Sequence, residues 1–335
     1  MSKQKAIFSP YPRPLDMVMS KTDEERLHDL VDVVWGKNGA IPDEEIAKVQ
    51  DEVYAVIATS WQHGPLAKMP NLRVIMETGG RHPSPKVLDY KSCFERGIRV
   101  LSCAPAYGPM VAEMALGMAI ASARGVVDAH NDFTAGEEVY LYDGNQGAFT
   151  LFDQPVGLIG FGGLAQNLRP LLTPFRCPIK VYDPWLPETY IKERGCTPTS
   201  LEDLLSTSRV IFVLAIPSNE NKAMLNRELL SLIQPNAALM LISRAHVVDF
   251  DALTELLHER RFRAAIDVFP QEPLATEHPI RSAPNTILSA HRAGTVWEDM
   301  HLIGKMVVDD LEALLAGLPP TKMQVAQPEI VYRLP

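Results

Sequence analysis

Four cysteines in 335 residues, Cys93, Cys103, Cys177 and Cys196, provide no disulfide framework. None stands in CxxC spacing or in a metal-ligand pattern, so no metal site is expected and the thiols read as reduced and mostly buried. Long apolar runs are missing too. The most hydrophobic stretch, Met110–Ala123, is too short to span a bilayer and contains Glu113. Positive charge is also scarce. A formal net charge of −9 offers nucleic acid or an anionic membrane no basic face, although one or two arginines can still hold a small anion. The amino terminus, MSKQKAIFSP, lacks the apolar core of a signal peptide, so a cytoplasmic location is expected. No fixed-period repeat or low-complexity tract interrupts the chain.

What is present is ordinary globular material, 46% hydrophobic and 22% charged, long enough for about two domains. Short apolar runs alternate with amphipathic stretches, the pattern of βα units around parallel sheets. The first series places strands at 6–9, 31–35, 53–59, 72–76 and 98–101, with a helix over 43–50. A second series places strands at 156–159, 179–182, 210–215, 238–242, 264–268 and 286–289. Leu164, Leu168, Leu171, Leu172 and Phe175 form a helical stripe after the first of these. Ser200 with Asp203 fits a capping box that opens another helix. Between the two series, YGPMVAEMALGMAIASAR is apolar on every face and is expected to be buried on all sides, between domains or in a subunit interface. The last helical pattern covers 297–315, and the short tail beyond it is expected to pack back on the first domain.

The stretch VGLIGFGGLAQNL carries Gly160-x-Gly162-x-x-Ala165 between a strand and a helix. Gly160 permits the tight turn, Gly162 lets backbone approach a pyrophosphate, and Ala165 allows close helix–strand packing. The helix N-terminus then faces the anion. Alone this pattern is weak. Its context strengthens it, because the next strand ends in VYDPW, with Asp183 about 20 residues on, where a carboxylate binds the adenosine ribose. No arginine follows at once, which favours NAD over NADP.

In a doubly wound sheet, ligands sit beyond the carboxyl ends of the strands. The fourth strand of the second series ends at Arg244, the fifth leads to Asp267 and Glu272, and the sixth leads to His291. Singly, each has an ordinary structural role open to it. Together, on one rim beside a nucleotide loop, they form a catalytic set. A carboxylate partner favours the charged form of an imidazole, which can then give a proton to a carbonyl under reduction and take it back in reverse. A guanidinium binds a carboxylate and polarises the adjacent carbonyl.

Six motifs, VAEMALGMAIASAR, GLIGFGGLA, VYDPW, LISRAHVVDFDAL, AAIDVFPQEP and LSAHRAG, occur in this order. The chain resembles the NAD-dependent D-2-hydroxyacid dehydrogenases, a family that includes phosphoglycerate dehydrogenases and glyoxylate/hydroxypyruvate reductases. The resemblance runs from about residue 53 to 320. It implies an α/β protein of two doubly wound domains: a Rossmann NAD-binding domain (105–295) inserted into a flavodoxin-like substrate-binding domain (1–104 with 296–335). A cleft between them is expected to close over substrate, and a homodimer is expected through 110–123. Arg244 is then the substrate anchor, Glu272 the partner of His291, and His291 the acid/base. Ser243 and Asp267 are expected near the nicotinamide. Gly163, Leu164, Ala215, Pro217 and Gly294 complete the expected cofactor set, and a 2-oxo or 2-hydroxy acid is the expected small-molecule partner.

Three departures stand out. Ala165 replaces a third glycine, and Ala245 replaces the glycine that usually follows the arginine. The glycine-rich substrate loop reads METGGRHPSP. In it, Gly79 and Gly80 still permit a backbone nest for an anion, and Arg81 and His82 add positive character. This reads either as a site for a substrate of extra negative charge or bulk, or as a rearranged loop whose Arg81 and His82 face water. Two other functions stay open on the same fold: an NAD(H)-sensing binding protein and a phosphite-type dehydrogenase. The formate enzymes carry glutamine where Glu272 stands, which argues against that chemistry.

Overall fold

Each apolar run of the first series becomes a strand, because short aliphatic runs buried on both faces suit a parallel sheet covered by helices. These strands are β1 (Gln4–Ser9), β2 (Val31–Trp35), β3 (Val53–Ala58), β4 (Val74–Glu77) and β5 (Arg99–Ser102). The structure is a computed structural model and describes residues 3–335. In it these strands lie parallel in the order β5-β4-β3-β1-β2, the flavodoxin-like arrangement. β4 starts later than its apolar run predicts and takes in Glu77, since Leu72 closes a turn onto Met69 instead. Register aligns Ser9, Ala58, Glu77 and Ser102 across the sheet, so the four strand ends form one edge.

The second series gives β6 (Val156–Ile159), β7 (Ile179–Tyr182), β8 (Thr197–Pro198), β9 (Val210–Val213), β10 (Ala238–Leu241), β11 (Arg263–Ile266) and β12 (Thr286–Leu288). Their order is β12-β11-β10-β9-β6-β7-β8, with every pairing parallel. Counted from β6, this is the 3-2-1-4-5-6 order of dinucleotide-binding sheets with a seventh strand, and it reverses between β6 and β9. Six strands were expected here. The extra one, β8, is two residues ending in proline, too short to leave a hydrophobic pattern. The stripe after Gly163 forms the helix Gly163–Leu172 and then a single 3-10 turn, Thr173–Phe175, where Pro174 cannot continue the helix. Ser200 caps the helix Leu201–Thr207 by accepting from the Asp203 N–H at 3.1 Å.

After the helix His301–Leu315 the tail forms β13 (Gln324–Val325), antiparallel to β5. The chain divides into two compact units, Met1–Gly108 with Thr295–Pro335, and Pro109–Gly294, so the division falls inside the helix Ala104–Arg124. In the single chain that helix keeps one face open, and a subunit interface is one of the two places its composition predicts. Glu113, Gly117, Ile120 and Arg124 form one exposed stripe at helical spacing. A further helix, Val126–Ala135, buries no residue at all and exposes Val126, Val127 and Phe133. Among the described residues no single helix is long and apolar enough to cross a membrane.

Candidate active site

β6 delivers the chain into Gly160 at φ +89°, and a Cβ there would lie 2.7 Å from the backbone N and Cα of Ala215. Only glycine meets both conditions. The next positions are open. A Cβ on Gly162 or Gly163 would meet nothing within 4 Å, and no side chain caps the helix that starts at Gly163. Its first-turn N–H groups and positive dipole end are thus available to a phosphate. Leu164 follows in that turn, and Ala165 is fully buried, so its small side chain sets the helix close to the sheet. At the end of β7, the Asp183 carboxylate accepts from the Phe161 N–H at 2.7 Å and the Trp185 N–H at 3.0 Å, which fixes it beside the glycine turn. A dinucleotide fits this set of residues: an open turn of backbone donors with a carboxylate one strand away.

Ser243, after β10, donates its hydroxyl to the Ala215 carbonyl at 2.9 Å and so ties the rims of β9 and β10 together. Pro217 lies in a loop closed by Asn221, which accepts from the Ser218 N–H and donates to the Ile216 carbonyl, both at 2.8 Å. Arg244 is extended and donates to the Ser243 carbonyl at 2.7 Å. Ala245 opens the 3-10 turn Ala245–Val247 with its methyl in the core and without positive φ, so the loop absorbs the departure from glycine.

His291 Nδ1 lies 2.6 Å from Glu272 Oε2, while Glu272 Oε1 accepts from the Phe269 N–H at 3.0 Å. Burial raises the Glu272 pKa, but the bonds from His291 and Phe269 and the charges of His291 and Arg244 outweigh it and leave the carboxyl below its ordinary value. The loop carrying Glu272 is anchored by Phe269 against Phe250 and by Arg281, which donates to the Leu274 and Ala275 carbonyls. His291 itself has φ +53°. Its N–H bonds the Asp267 carbonyl at 2.8 Å, and the fully buried Asp267 carboxylate accepts from the Arg292 and Ala293 N–H groups at 2.9 and 3.0 Å. Asp267 therefore holds the turn that presents the imidazole, a role the sequence does not announce. Gly294 closes the second unit after this turn.

In the first unit, the nest expected at Gly79 and Gly80 forms, and a carboxyl group of the chain itself is already in it. Glu77 accepts from the N–H groups of Gly79, Gly80 (3.0 Å) and Arg81 (2.9 Å), and from the Ser102 hydroxyl at 3.1 Å. Burial pushes its carboxyl up to about 7, against the pull of those donors and of Arg13. The Arg81 side chain is exposed, whereas His82 is buried with Nδ1 unpartnered among the described residues. Burial holds that imidazole down to about 4. Sequence reasoning missed Glu77 and Arg13; the only signal was a carboxylate directly preceding Thr78-Gly79-Gly80. No cluster of metal-ligating side chains occurs among the described residues.

An open glycine turn at the switch point of a 3-2-1-4-5-6 sheet, with a carboxylate-paired histidine on the same sheet, defines a nicotinamide-nucleotide oxidoreductase. Residues 116–293 match the family model of the D-isomer specific 2-hydroxyacid dehydrogenase NAD-binding domain, and the chain belongs to that family. It is similar to a glyoxylate reductase of Thermofilum pendens, 30% identical over 75% of this chain and 74% of that protein. A glyoxylate reductase of Pyrococcus furiosus is 27% identical over 86% of this chain and 87% of its own length. Among solved structures, a phosphoglycerate oxidoreductase from Rhizobium etli is similar at 37% identity and TM-score 0.83, covering 97% of this chain and 99% of that one.

Proposed function

We propose that the protein is an NAD-dependent dehydrogenase that interconverts a 2-oxo acid and the D-2-hydroxy acid. The 2.6 Å contact between His291 and Glu272 carries this reading, because it sets a proton donor and acceptor of fixed orientation at the mouth of a dinucleotide sheet. His291 gives its proton to the carbonyl oxygen as the 2-oxo acid is reduced and removes the hydroxyl proton in the reverse direction. Glu272 orients the ring and stabilises its protonated form. Arg244 binds the substrate carboxylate and polarises the neighbouring carbonyl. The dinucleotide, when bound, supplies or accepts the hydride.

Gly160, Gly162, Gly163 and Leu164 take the pyrophosphate. Ala215, Pro217, Ser243, Asp267 and Gly294 complete the cofactor side, Asp267 acting through the Arg292–Ala293 turn. The Asp183 carboxylate favours NAD, since it accepts ribose hydroxyls and repels a 2′-phosphate. The Gly79-Gly80-Arg81 turn belongs to the substrate-binding domain, formed by the two ends of the chain. A homodimer is proposed through 110–123, with the exposed apolar residues that follow the helix Ala104–Arg124 continuing that stretch in sequence. NADH oxidation by the purified chain, measured with glyoxylate, hydroxypyruvate, pyruvate, phosphohydroxypyruvate and bulkier 2-oxo acids, tests the reading. Turnover of at least one is expected; NADH binding without turnover of any would instead support a sensor.

A further inference from the structure

The carboxyl edge of the first sheet gathers groups that the reaction above does not use. Ser9, Ala58, Glu77 and Ser102 stand side by side at that edge, and the segments leaving it carry Arg13, Thr59, Thr78, Cys103 and Tyr107. Three consecutive N–H groups, from Gly79, Gly80 and Arg81, converge as an anion nest. They converge on Glu77 of the same chain. A Cβ on Gly80 would lie 2.6 Å from the Tyr107 ring, and Gly80 has φ +89°, so the turn is held in the shape that closes on Glu77. With these donors and the Ser102 hydroxyl committed, the turn has no N–H left for a ligand carboxylate.

A cation sits beside the filled nest. Arg13 donates to the Thr78 carbonyl, which also accepts from the Tyr107 hydroxyl at 3.2 Å, and its guanidinium lies 5.7 Å from the centroid of the Tyr107 ring. These contacts fix its position; Arg13 forms no salt bridge among the described residues, and the carboxyl its charge acts on is that of Glu77. A guanidinium presents five donors, so most of its donor capacity remains after the Thr78 bond.

We propose that Glu77 is a specificity-determining residue: it occupies the anion nest of the Gly79–Arg81 turn, so the first unit recognises an acid ligand through the Arg13 guanidinium instead of backbone N–H groups. The substrate class rests on the proposed function above; the filling of the nest does not. A charged side chain selects differently from a backbone nest. A nest fits one carboxylate closely, whereas a guanidinium on a side chain takes a carboxylate or a second anionic group farther along the ligand.

Two arms test this on the full chain. The thermal midpoint of Glu77→Ala is followed in sodium acetate against sodium chloride at equal ionic strength. Acetate is expected to raise the midpoint of the variant and not of the parent, because it refills the vacated nest. A variant recovered folded only in acetate supports the proposal equally. A variant that responds alike to both salts, or is unfolded in both, overturns it. In the second arm, Arg13→Met is expected to raise KM for the best 2-oxo acid at least tenfold with a smaller change in kcat, and Arg13→Lys to recover part of the loss. An unchanged KM overturns the role of Arg13. If the parent chain turns over no 2-oxo acid, the proposed function fails by itself, and the acetate arm, which needs no turnover, still decides whether Glu77 fills the nest.

Discussion

At His291 the backbone adopts φ +53°, a conformation that costs a residue other than glycine about 1–3 kcal/mol. It is held by one backbone bond to Asp267 and two further N–H groups on the Asp267 carboxylate. The result is an imidazole fixed by its main chain as well as by Glu272. His291→Gln should therefore leave the turn and the glycine loop intact and remove only the proton transfer. Turnover is expected to fall roughly 10²–10⁴ fold with NADH affinity close to that of the parent, read by steady-state kinetics and fluorescence titration. Asp183, Arg244, Glu272 and His291 were legible because each stands just beyond an apolar strand run. Asp267 was legible as a residue but not in its role, since accepting from N–H groups at 292 and 293 leaves no pattern in sequence.

At the scale of elements, the segments after β3 and β4 bury two imidazoles, His63 and His82, both held down to about 4 by desolvation. Glu77, at the end of β4, is pushed by burial up to about 7, with Arg13, Cys103, Tyr107 and the Ser102 hydroxyl facing it from neighbouring elements. The two effects oppose. Between about pH 4.5 and 6.5 the unfolded chain binds two imidazole protons that the folded one lacks, while the folded chain retains one carboxyl proton that the unfolded one has lost. The unfolded state holds the excess, so these groups make stability fall as pH drops through that window. From about 6.5 to 7 Glu77 acts alone, and its contribution declines as pH rises. His82→Leu removes one imidazole proton from the balance. Its stability should be less steep than the parent's between pH 4.5 and 6.5 by about 1.4 kcal/mol per pH unit, measured by denaturant unfolding at several pH values; parallel profiles would contradict the assignment.

For the whole molecule, the exposed apolar surface is concentrated in one stretch of the second unit. Phe133 is 62% exposed, Leu141 76% and Tyr142 90%, close in sequence to the exposed Ile120. Exposed apolar residues gathered in one stretch of a folded chain suit an interaction face, and a second copy is the proposed occupant. Phe133→Asp should shift the sedimenting species from dimer to monomer; a monomeric parent would remove the proposal. The second fold was legible almost strand for strand, because its apolar runs, glycine turn and strand-end residues are local signals. β8 and β13, each two residues long, and the exposed helix Val126–Ala135 were not, because their placement depends on what the chain meets in three dimensions. The order of apolar and polar residues alone determined two parallel sheets, a glycine turn for a dinucleotide, and an arginine, a glutamate and a histidine at strand ends. Only the tertiary structure decided that Asp267 faces inward to hold the histidine turn and that Glu77 fills the nest beside it in sequence. The donors of Asp267 follow the neighbouring strand β12, and register between strands is not written in any single segment. The turn on Glu77 is local, but the Tyr107 ring and the Ser102 hydroxyl that hold it come from elsewhere in the chain.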